Sequence, residues 1–499
     1  MSQSVIRDGK IFLGTSVKPE YLDLALANRH GLITGATGTG KTVTLQILAE
    51  GFSKHGVPVF AADVKGDLSG IAVAGSQKDF IDKRIEKIGL DIYETQGYPT
   101  VFWDVFGQSG HPVRATVLDM GPLLLSRLLE LNEVQEGVLN IAFKVAEEEK
   151  MPVLDLKDLR SLINNVGERS KELSHKYGNV ASSSVGAIQR RLLVLEEQGA
   201  DQFFGEPALD IKDLMRVSMD GRGIVNLLSA DKLMESPRLY GTFLLWLLTS
   251  LWQQLPEVGD QPKPKLVFFF DEAHLLFDEA PKALLQRIEQ VARLIRSKGV
   301  GVYFITQNPL DVPDTVSSQL GNRVQHQLRA FTPKERRAVK AAAETFRPNP
   351  DIDTERTILD LGIGEALVST LMEKGEPSVV QRTLIRPPEG QIGPLSEQQR
   401  KDVMGRSPVS GKYDEAIDRE SAQEMLAKRA EELAKKEEEL KQEAKASAGG
   451  WFGGVAKEIF GRGPRGGKSF AGQAASYATR SIMRRIISQI VRSVLRGGR

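Results

Sequence analysis

The chain has 499 residues, of which 41% are hydrophobic and 26% charged, a composition typical of soluble globular proteins. This length exceeds one ordinary hydrophobic core and predicts two or three domains, and a net charge of +1 gives no global basic excess that would indicate a nucleic-acid binder. The absence of cysteine excludes disulfides and thiolate metal ligands and fits a cytoplasmic protein.

Short apolar runs alternate with longer helical patterns from residue 11 to about residue 386, which predicts an α/β fold with a mainly parallel sheet. The N-terminal sequence MSQSVIRDGK lacks the apolar core of a secretory signal. Five runs are predicted to be strands, at residues 31–34, 57–63, 223–228, 266–270 and 300–306.

A phosphate-binding loop is predicted at residues 35–42, where GATGTGKT fits the pattern G-x-x-x-x-G-K-[ST] between a strand and a helix. In such a loop, glycines let backbone N–H groups converge on a β-phosphate, and the helix adds its positive end. We expect Lys41 to bridge the β- and γ-phosphates of ATP and Thr42 to hold Mg²⁺. The predicted nucleotide-binding residues are Gly35, Ala36, Thr37, Gly38, Thr39, Gly40, Lys41, Thr42 and Val43.

Two acidic residues, Asp63 and Asp67, follow the second predicted strand in FAADVKGDLSG. They could face the magnesium ion or a neighbouring subunit. A turn that uses Asp and Gly for their backbone preferences explains the pattern at least as well.

A helix-rich stretch at residues 112–210 separates the strands and predicts a mostly helical subdomain. It divides the expected ATPase core into a first part at residues 1–111 and a second part at residues 211–386. The apolar segment at residues 239–252 is shorter than the roughly 20 residues needed to span a bilayer, so we interpret it as a buried helix.

The sequence KLVFFFDEAHLLF, at residues 265–277, predicts a strand buried on both faces that ends in Asp271 and Glu272. Asp271 is placed to hold the magnesium ion through water, and Glu272 to orient or deprotonate the attacking water. An acidic pair after a strand can also cap the next helix, but its occurrence with a phosphate loop favours catalysis.

The last predicted strand, in GVGVYFITQNP, leads directly into Gln307. Its amide could sense the γ-phosphate, and a polar residue that merely ends a strand is an equal alternative.

The C-terminal region changes in composition after residue 386. We predict a proline- and glycine-rich linker at residues 387–413, a charged helix at 414–446, a flexible glycine-rich segment at 447–470 and a basic amphipathic helix at 471–499. From residue 447 onward, ten Lys or Arg stand against one Glu, a net charge of +9, so the preceding residues carry −8 of the total of +1. The near-neutral total therefore hides a basic tail.

Three segments, GATGTGKT, FFFDEAH and RLIRSKGVGVYFITQNP, occur in an order that resembles the HerA and FtsK branch of RecA-like motor ATPases. The stretches GHPVRATVLDMGPLLLSRLL and DQFFGEPALDIKDL are similar to bacterial HerA-like C-terminal-domain ATPases of the YjgR type. The resemblance covers about three quarters of the chain, residues 11–386. It implies a RecA-like P-loop NTPase core.

The resemblance also implies a hexameric ring with ATP between subunits and an arginine from the neighbour that completes each site. In the family this arginine usually precedes the sensor strand, so Arg296 is the best match, with Arg293 in reserve and Arg323 as a weaker candidate. A surface arginine on an amphipathic helix is the alternative. Archaeal HerA helicases carry a β-barrel before the motor, and the residues before Gly35 are too few for one.

Two classes of function fit these features. The first is an Mg²⁺-dependent, ATP-hydrolysing ring motor, a DNA translocase or helicase-like enzyme, with double-stranded DNA held by the basic tail. The second is an ATPase that remodels or gates protein partners without a DNA substrate. The basic C-terminal helix could also bind an anionic membrane, or pack its isoleucine stripe against the motor.

Overall fold

A computed structural model describes residues 6–277 and 282–459 of the chain. By their internal contacts, the described residues up to Ala427 form one compact unit, and those from Lys428 onward form a second. The basic helix predicted at residues 471–499 lies outside the described residues.

One sheet organises the first unit. Within residues 6–277 and 282–459 it contains thirteen strands in the order β1-β2-β13-β12-β11-β4-β10-β9-β5-β8-β6-β7, and β3 pairs with β2. The strands are β1 Ile6–Arg7, β2 Lys10–Thr15, β3 Pro19–Asp23, β4 Gly31–Thr34, β5 Val59–Asp63, β6 Thr100–Asp104, β7 His111–Pro112, β8 Val225–Ser229, β9 Leu266–Phe270, β10 Val300–Thr306, β11 Asn322–Gln325, β12 Glu365–Ser369 and β13 Gln381–Ile385.

Helices cover both faces of this sheet and fill the long insertion. The described α-helices are α1 Lys41–Lys54, α2 Asp79–Ile88, α3 Val117–Leu128, α4 Glu133–Glu148, α5 Leu156–Glu168, α6 Ser170–Tyr177, α7 Ser182–Glu197, α8 Pro237–Gln254, α9 His274–Phe277, α10 Lys282–Leu294, α11 Asp314–Ser317, α12 Pro333–Glu344, α13 Thr354–Asp360, α14 Glu397–Met404 and α15 Ala422–Ile459.

The central strands are parallel, as the apolar runs predict. Every residue of β9 and β10 is buried, because helices cover both faces of a parallel sheet. The predicted strands at 31–34, 266–270 and 300–306 have the observed bounds, and β5 and β8 each begin two residues later than predicted. From β11 to β7 all neighbours pair in parallel, whereas β12, β13, β2 and β1 extend the sheet by antiparallel pairing.

The strand order brings distant motifs together. The strand β4, which leads into the phosphate loop, lies between β11 and β10, and β10 separates it from β9. Because these strands are parallel, their carboxyl ends meet at one edge. The phosphate loop, Gln307 and the pair Asp271–Glu272 therefore emerge side by side, where open α/β sheets bind ligands.

The insertion between β7 and β8 contains α3 to α7. Its buried leucines and isoleucines, such as Leu162 and Ile188, belong to the same apolar cluster as Phe243 on α8. The segment at residues 239–252 lies within α8 and is buried, as predicted. Among residues 6–277 and 282–459, no helix has both the length and the apolar character needed to cross a membrane.

Residues 387–413, predicted as a linker, lie against the sheet and α1. Glu389 is 3% exposed, and Tyr413 is fully buried. The side chain of Arg400, on α14, stacks over the ring of Phe102 at 4.3 Å and donates to the backbone oxygen of Ser109 at 2.8 Å. Proline and glycine content resembles that of a linker, but the ion pair between Glu389 and Lys54 at 2.5 Å, the contacts of Arg400 and the buried Tyr413 hold this segment in place.

The helix α15 begins and ends later than the charged helix predicted at residues 414–446. At its start the hydroxyl of Ser421 donates to Asp158 at 2.5 Å, and the backbone N–H of Gln423 donates to the same oxygen at 2.9 Å. The helix continues through Ile459, so residues 447–459 of the predicted flexible segment are helical in the structure.

Candidate nucleotide site

The phosphate loop connects β4 to α1. Gly38 and Gly40 have φ angles of 81° and 114°, values that a residue with a side chain rarely adopts. Gly40 is also the residue immediately before α1, so the turn delivers the chain directly into the N-terminus of that helix. A glycine turn at a helix N-terminus is the local geometry that can present several backbone N–H groups to a phosphate.

Lys41 lies over the loop that precedes it. Its Nζ donates to the backbone oxygens of Gly35 at 2.6 Å and Ala36 at 3.1 Å. Burial lowers the pKa of the Lys41 ammonium, and the carboxylates of Asp271 and Glu272 act in the opposite direction. The carboxylates of Asp271 and Glu272 are therefore close enough to Lys41 to stabilise its charged form.

A buried histidine packs against the phosphate loop. His326, which follows β11, is fully buried, and a Cβ on Gly35 would lie only 2.5 Å from the Cβ of His326. Its Nδ1 lies 3.0 Å from the backbone oxygen of Glu365, which only accepts, so Nδ1 carries the proton. Nε2 then accepts from the hydroxyl of Thr44, on α1, at 2.8 Å. This neutral tautomer fixes the helix that carries the loop.

The acidic pair lies at the end of β9, as predicted. Asp271 accepts from the backbone N–H of Glu272 at 2.9 Å, and the hydroxyl of Tyr240 donates to the Asp271 backbone oxygen at 3.0 Å. Burial, and then the neighbouring Glu272 charge, raise the pKa of Asp271 to about 6. Glu272 has a φ of 48°, an uncommon value for a residue with a side chain, and is 9% exposed.

Gln307 connects the acidic pair to the phosphate loop. Its Nε2 lies 3.4 Å from each carboxylate oxygen of Glu272, and its Oε1 accepts from the Thr37 hydroxyl at 3.3 Å. This bridge exists because β10 is inserted between β4 and β9. Of the two interpretations of Gln307, its contacts favour the one in which its amide takes part in the site.

Two further side chains contact Glu272. Lys65 Nζ lies 3.6 Å from its Oε1, and His274 Nδ1 lies 3.5 Å from its Oε2. Lys65 is part of the segment in which the sequence draws attention to Asp63 and Asp67, yet it is the lysine that reaches the glutamate. Nothing in its sequence position reveals this contact, since β5 and β9 become neighbours only in the folded sheet.

Asp63 ends β5 and is 7% exposed. The backbone N–H of Leu68 donates to its Oδ2 at 3.1 Å, which gives the segment the turn that the alternative interpretation predicts. Burial, and then the charge of Asp271, raise the pKa of Asp63 to about 7. Asp63 therefore both stabilises a turn and lies close enough to Asp271 for the two carboxylates to repel each other.

The residues fit a magnesium-nucleotide complex. Two buried carboxyl groups, Asp63 and Asp271, have raised pKa values, first because they are buried and then because other carboxylates lie nearby, so a bound cation would favour their ionised forms. Among residues 6–277 and 282–459, no group of three or more His, Cys, Asp or Glu is arranged to hold a metal by itself. Mg²⁺ characteristically takes one or two protein ligands together with phosphates and waters, and Thr42 and Asp271 suit that arrangement.

Arg296 does not join this group. It lies in a short 3-10 helix, Ile295–Lys298, just before the amino end of β10, whereas Gln307 follows the carboxyl end of that strand. Its guanidinium is 3.6 Å from Asp260 and 40% exposed. The Arg323 side chain contacts its own chain, because its Nη2 donates to the Ser317 backbone oxygen at 2.8 Å.

Similarity to known proteins agrees with this geometry. The family described as helicase HerA-like C-terminal matches residues 10–498. The DNA double-strand break repair helicase HerA of Saccharolobus solfataricus is 23% identical over 376 residues, covering 72% of this chain and 66% of that protein. The HerA helicase of Sulfolobus acidocaldarius is 22% identical over 386 residues, covering 73% of this chain and 66% of that protein. The chain thus spans just under two thirds of the length of these relatives.

Solved structures share the fold. VirB4 of Thermoanaerobacter pseudethanolicus has a TM-score of 0.50 at 14% identity, covering 77% of this chain and 98% of that one. The plasmid coupling protein TrwB, in complex with a non-hydrolysable GTP analogue, has a TM-score of 0.51 at 14% identity, covering 74% and 90%. The RecA-like fold predicted from the sequence is confirmed. The chain belongs to the helicase HerA-like C-terminal family.

Proposed function

We propose that this chain hydrolyses ATP with Mg²⁺ and uses the energy to move along double-stranded DNA as a homo-oligomeric ring. One observation carries the hydrolysis: Gln307 contacts both Glu272 and the phosphate-loop residue Thr37. A γ-phosphate bound at the loop would lie beside this bridge, so the carboxylate would face the water that attacks it.

In the proposed reaction, Thr42 and Asp271 would hold Mg²⁺, which would supply positive charge to offset that of the phosphates. Lys41 leaves its own loop oxygens and donates to the same phosphates. Glu272 accepts a proton from the attacking water, a role that contributes about 10²- to 10⁴-fold to such reactions. The water oxygen bonds to the γ-phosphorus, and the bond from that phosphorus to the β-phosphate oxygen breaks, which releases ADP and phosphate. Gln307 orients the water and the carboxylate together.

A ring explains the position of Arg296. Within one subunit this arginine lies at the edge of the sheet opposite to the phosphate loop. A neighbour packed against that edge would place its own nucleotide near Arg296, whose cation would then meet the charge that develops on the γ-phosphate. The Arg296 guanidinium is 40% exposed, and its partner Asp260 is 86% exposed, so the arginine is accessible for that contact.

The DNA substrate rests on the relatives, which are named as DNA double-strand break repair helicases. Charge supports a different substrate. Residues 1–446 carry a net charge of −8, obtained from the total of +1 and the tail of +9. A motor body of this sign repels phosphate backbones, so an ATPase that remodels or gates protein partners is the second candidate.

ATP hydrolysis by the purified chain, with and without linear duplex DNA, tests both candidates. Glu272→Gln is the blank. Stimulation by DNA that weakens steeply with salt and vanishes in the blank supports the translocase. Turnover that DNA leaves unchanged favours the protein-remodelling ATPase, and the absence of turnover above the blank under all conditions contradicts both.

A further inference from the structure

A short loop touches the phosphate loop on the side away from the catalytic groups. This loop, residues 361–364, connects α13 to β12. The backbone N–H of Gly364 donates to the Thr39 oxygen at 3.0 Å, and a Cβ on Gly40 would lie 3.3 Å from the Gly364 nitrogen. The two loops are therefore in contact at the point where α1 begins.

One arginine fixes the position of residues 361–364. Arg84, on α2, donates through Nη1 to the backbone oxygens of Gly364 at 2.6 Å and Ile385 at 3.2 Å, and through Nη2 to that of Ile363 at 2.9 Å. A guanidinium that donates to three carbonyl oxygens restricts a loop strongly, because its donors form a rigid fork. The Ile363 side chain projects from a part of the chain that is firmly held.

Ile363 is 76% exposed. A single exposed aliphatic residue is ordinary on a protein surface. This one differs by its location, since its neighbour Gly364 contacts both Thr39 and Gly40 in the nucleotide loop.

The sheet order indicates which part of a nucleotide would meet Ile363. Around β4 the order is β12-β11-β4-β10-β9, so Gln307 and Glu272 lie on one side of the phosphate loop and residues 361–364 on the other. A bound triphosphate must direct its γ-phosphate toward Glu272 for hydrolysis. Its α-phosphate, ribose and base then leave the loop in the opposite direction, past Gly40 and toward Ile363.

We infer that Ile363, held by Arg84, forms an apolar wall for the purine base of the bound nucleotide. This inference rests on the nucleotide-binding role proposed above and adds the base-binding part of that site. The contact is between aliphatic carbon and the face of an aromatic ring, so it contributes affinity by burying apolar surface. It offers no hydrogen bond to a base edge and so supports binding of purines as a class.

The test compares a whole nucleotide with its phosphate chain alone. Binding of Mg²⁺-ATP and of Mg²⁺-tripolyphosphate is measured by calorimetry in the full chain carrying Glu272→Gln, so that no ATP is consumed. Ile363→Ser should weaken ATP binding about tenfold and leave tripolyphosphate binding unchanged, whereas Ile363→Leu should retain most ATP affinity. Val134→Ser, on α4, is the matched control, because Val134 is also branched at Cβ and 60% exposed.

Three results would overturn the inference: unchanged ATP affinity in Ile363→Ser, an equal loss for ATP and tripolyphosphate, or a loss that accompanies a changed assembly mass in sedimentation. The second would assign Ile363 to support of the phosphate loop and the third to a contact between subunits. Lys41→Ala separates this inference from the proposed function. If that change leaves both ligands bound as before, the nucleotide site itself is wrongly assigned.

Discussion

Lys65 Nζ and Glu272 Oε1 lie 3.6 Å apart, which joins the segment after β5 to the carboxylate after β9. The positive charge of Lys65 also affects two neighbouring groups. It lowers the pKa of Lys41 by repulsion, and it lowers the pKa of Asp271 by stabilising the ionised carboxylate. A cation on an exposed side chain thus takes part in the electrostatics of the most buried part of the site.

Lys65→Met should lower kcat for ATP hydrolysis about tenfold and leave the Kd for ATP within twofold, because the change frees the carboxylate without touching the phosphate loop. Steady-state kinetics and equilibrium binding give the two quantities. Lys65→Arg should recover most of the loss, since it keeps the charge. An unchanged kcat in Lys65→Met would mean that the ion pair does not position Glu272.

Glu272→Gln should reduce turnover at least a hundredfold while ATP binding persists, because the amide cannot accept the proton of water. Single-turnover hydrolysis and nucleotide binding check the two parts. The control is Glu289→Gln, on α10, outside the site and near α11, where Thr315 donates to Glu289. Residual turnover near the unmodified rate would remove Glu272 from the role of base.

Mixing two inactive variants tests whether Arg296 acts on a neighbour. Arg296→Ala keeps an intact Glu272, and Glu272→Gln keeps an intact Arg296, so each is expected to be inactive alone while both bind ATP. In mixed rings, some interfaces combine Glu272 from one subunit with Arg296 from the other, and part of the turnover should return. Mixed oligomers that stay inactive at every ratio would contradict action in trans.

The ion pair between Glu50 and Arg386 is expected to stabilise the folded state. Glu50, on α1, is fully buried, and its Oε2 lies 3.2 Å from Arg386 Nη1. Arg386→Met leaves a buried carboxylate without its cation, so the free energy of unfolding should fall by about 3–5 kcal/mol. Chemical denaturation measures this, with Arg356→Ala as control, because Arg356 is 81% exposed and its pair to Asp360 should contribute little.

Adding Glu50→Gln to Arg386→Met should restore part of that loss, since the orphaned charge is then removed. A double variant as unstable as Arg386→Met alone would show that packing of the long arginine side chain, and not its charge, stabilises this region.

Acid should loosen the helix that carries the phosphate loop. Burial lowers the pKa of His326 from 6.5 to about 4, so between these values the unfolded chain binds a proton that the folded chain does not. The free energy of unfolding therefore falls as the pH drops through this window, by about 1.4 kcal/mol per pH unit for this group. Above pH 6.5, His326 causes no further increase in the free energy of unfolding as the pH rises.

Thermal unfolding from pH 7 to pH 4 measures the effect. His326→Gln should lose less stability across the window than the unmodified chain, and the exposed His175→Gln, on α6, should behave like the unmodified chain. Equal pH slopes for all three proteins would exclude His326 as a source of acid sensitivity.

Local patterns predict the fold and the nucleotide loop because each depends on neighbours in the chain. Runs such as 266–270 are apolar throughout and are buried on both faces, and the glycine spacing of residues 35–42 determines the turn. Asp271, Glu272 and Gln307 follow from the rule that parallel strands end at one edge.

The remaining features depend on partners far away in sequence. Lys65 meets Glu272, His326 meets Thr44, and Arg386 meets Glu50, so no window of sequence contains both members of any pair. The proline-rich stretch after residue 386 illustrates the same limit. Its composition indicates a linker, but the backbone N–H groups of Glu389 and Gly390 donate to the buried Glu50 on α1, contacts that only the folded structure reveals.

The strand β10 has one more consequence. It is buried along all seven residues and hydrogen-bonded to β4 and β9, so it behaves as a stiff rod roughly 20 Å long. Arg296 precedes one end and Gln307 follows the other. In the proposed ring, a displacement that Gln307 transmits on loss of a γ-phosphate would shift Arg296 at the neighbour's nucleotide. Movement at one nucleotide site would thus be coupled to movement at the next, and hydrolysis would proceed around the ring in sequence.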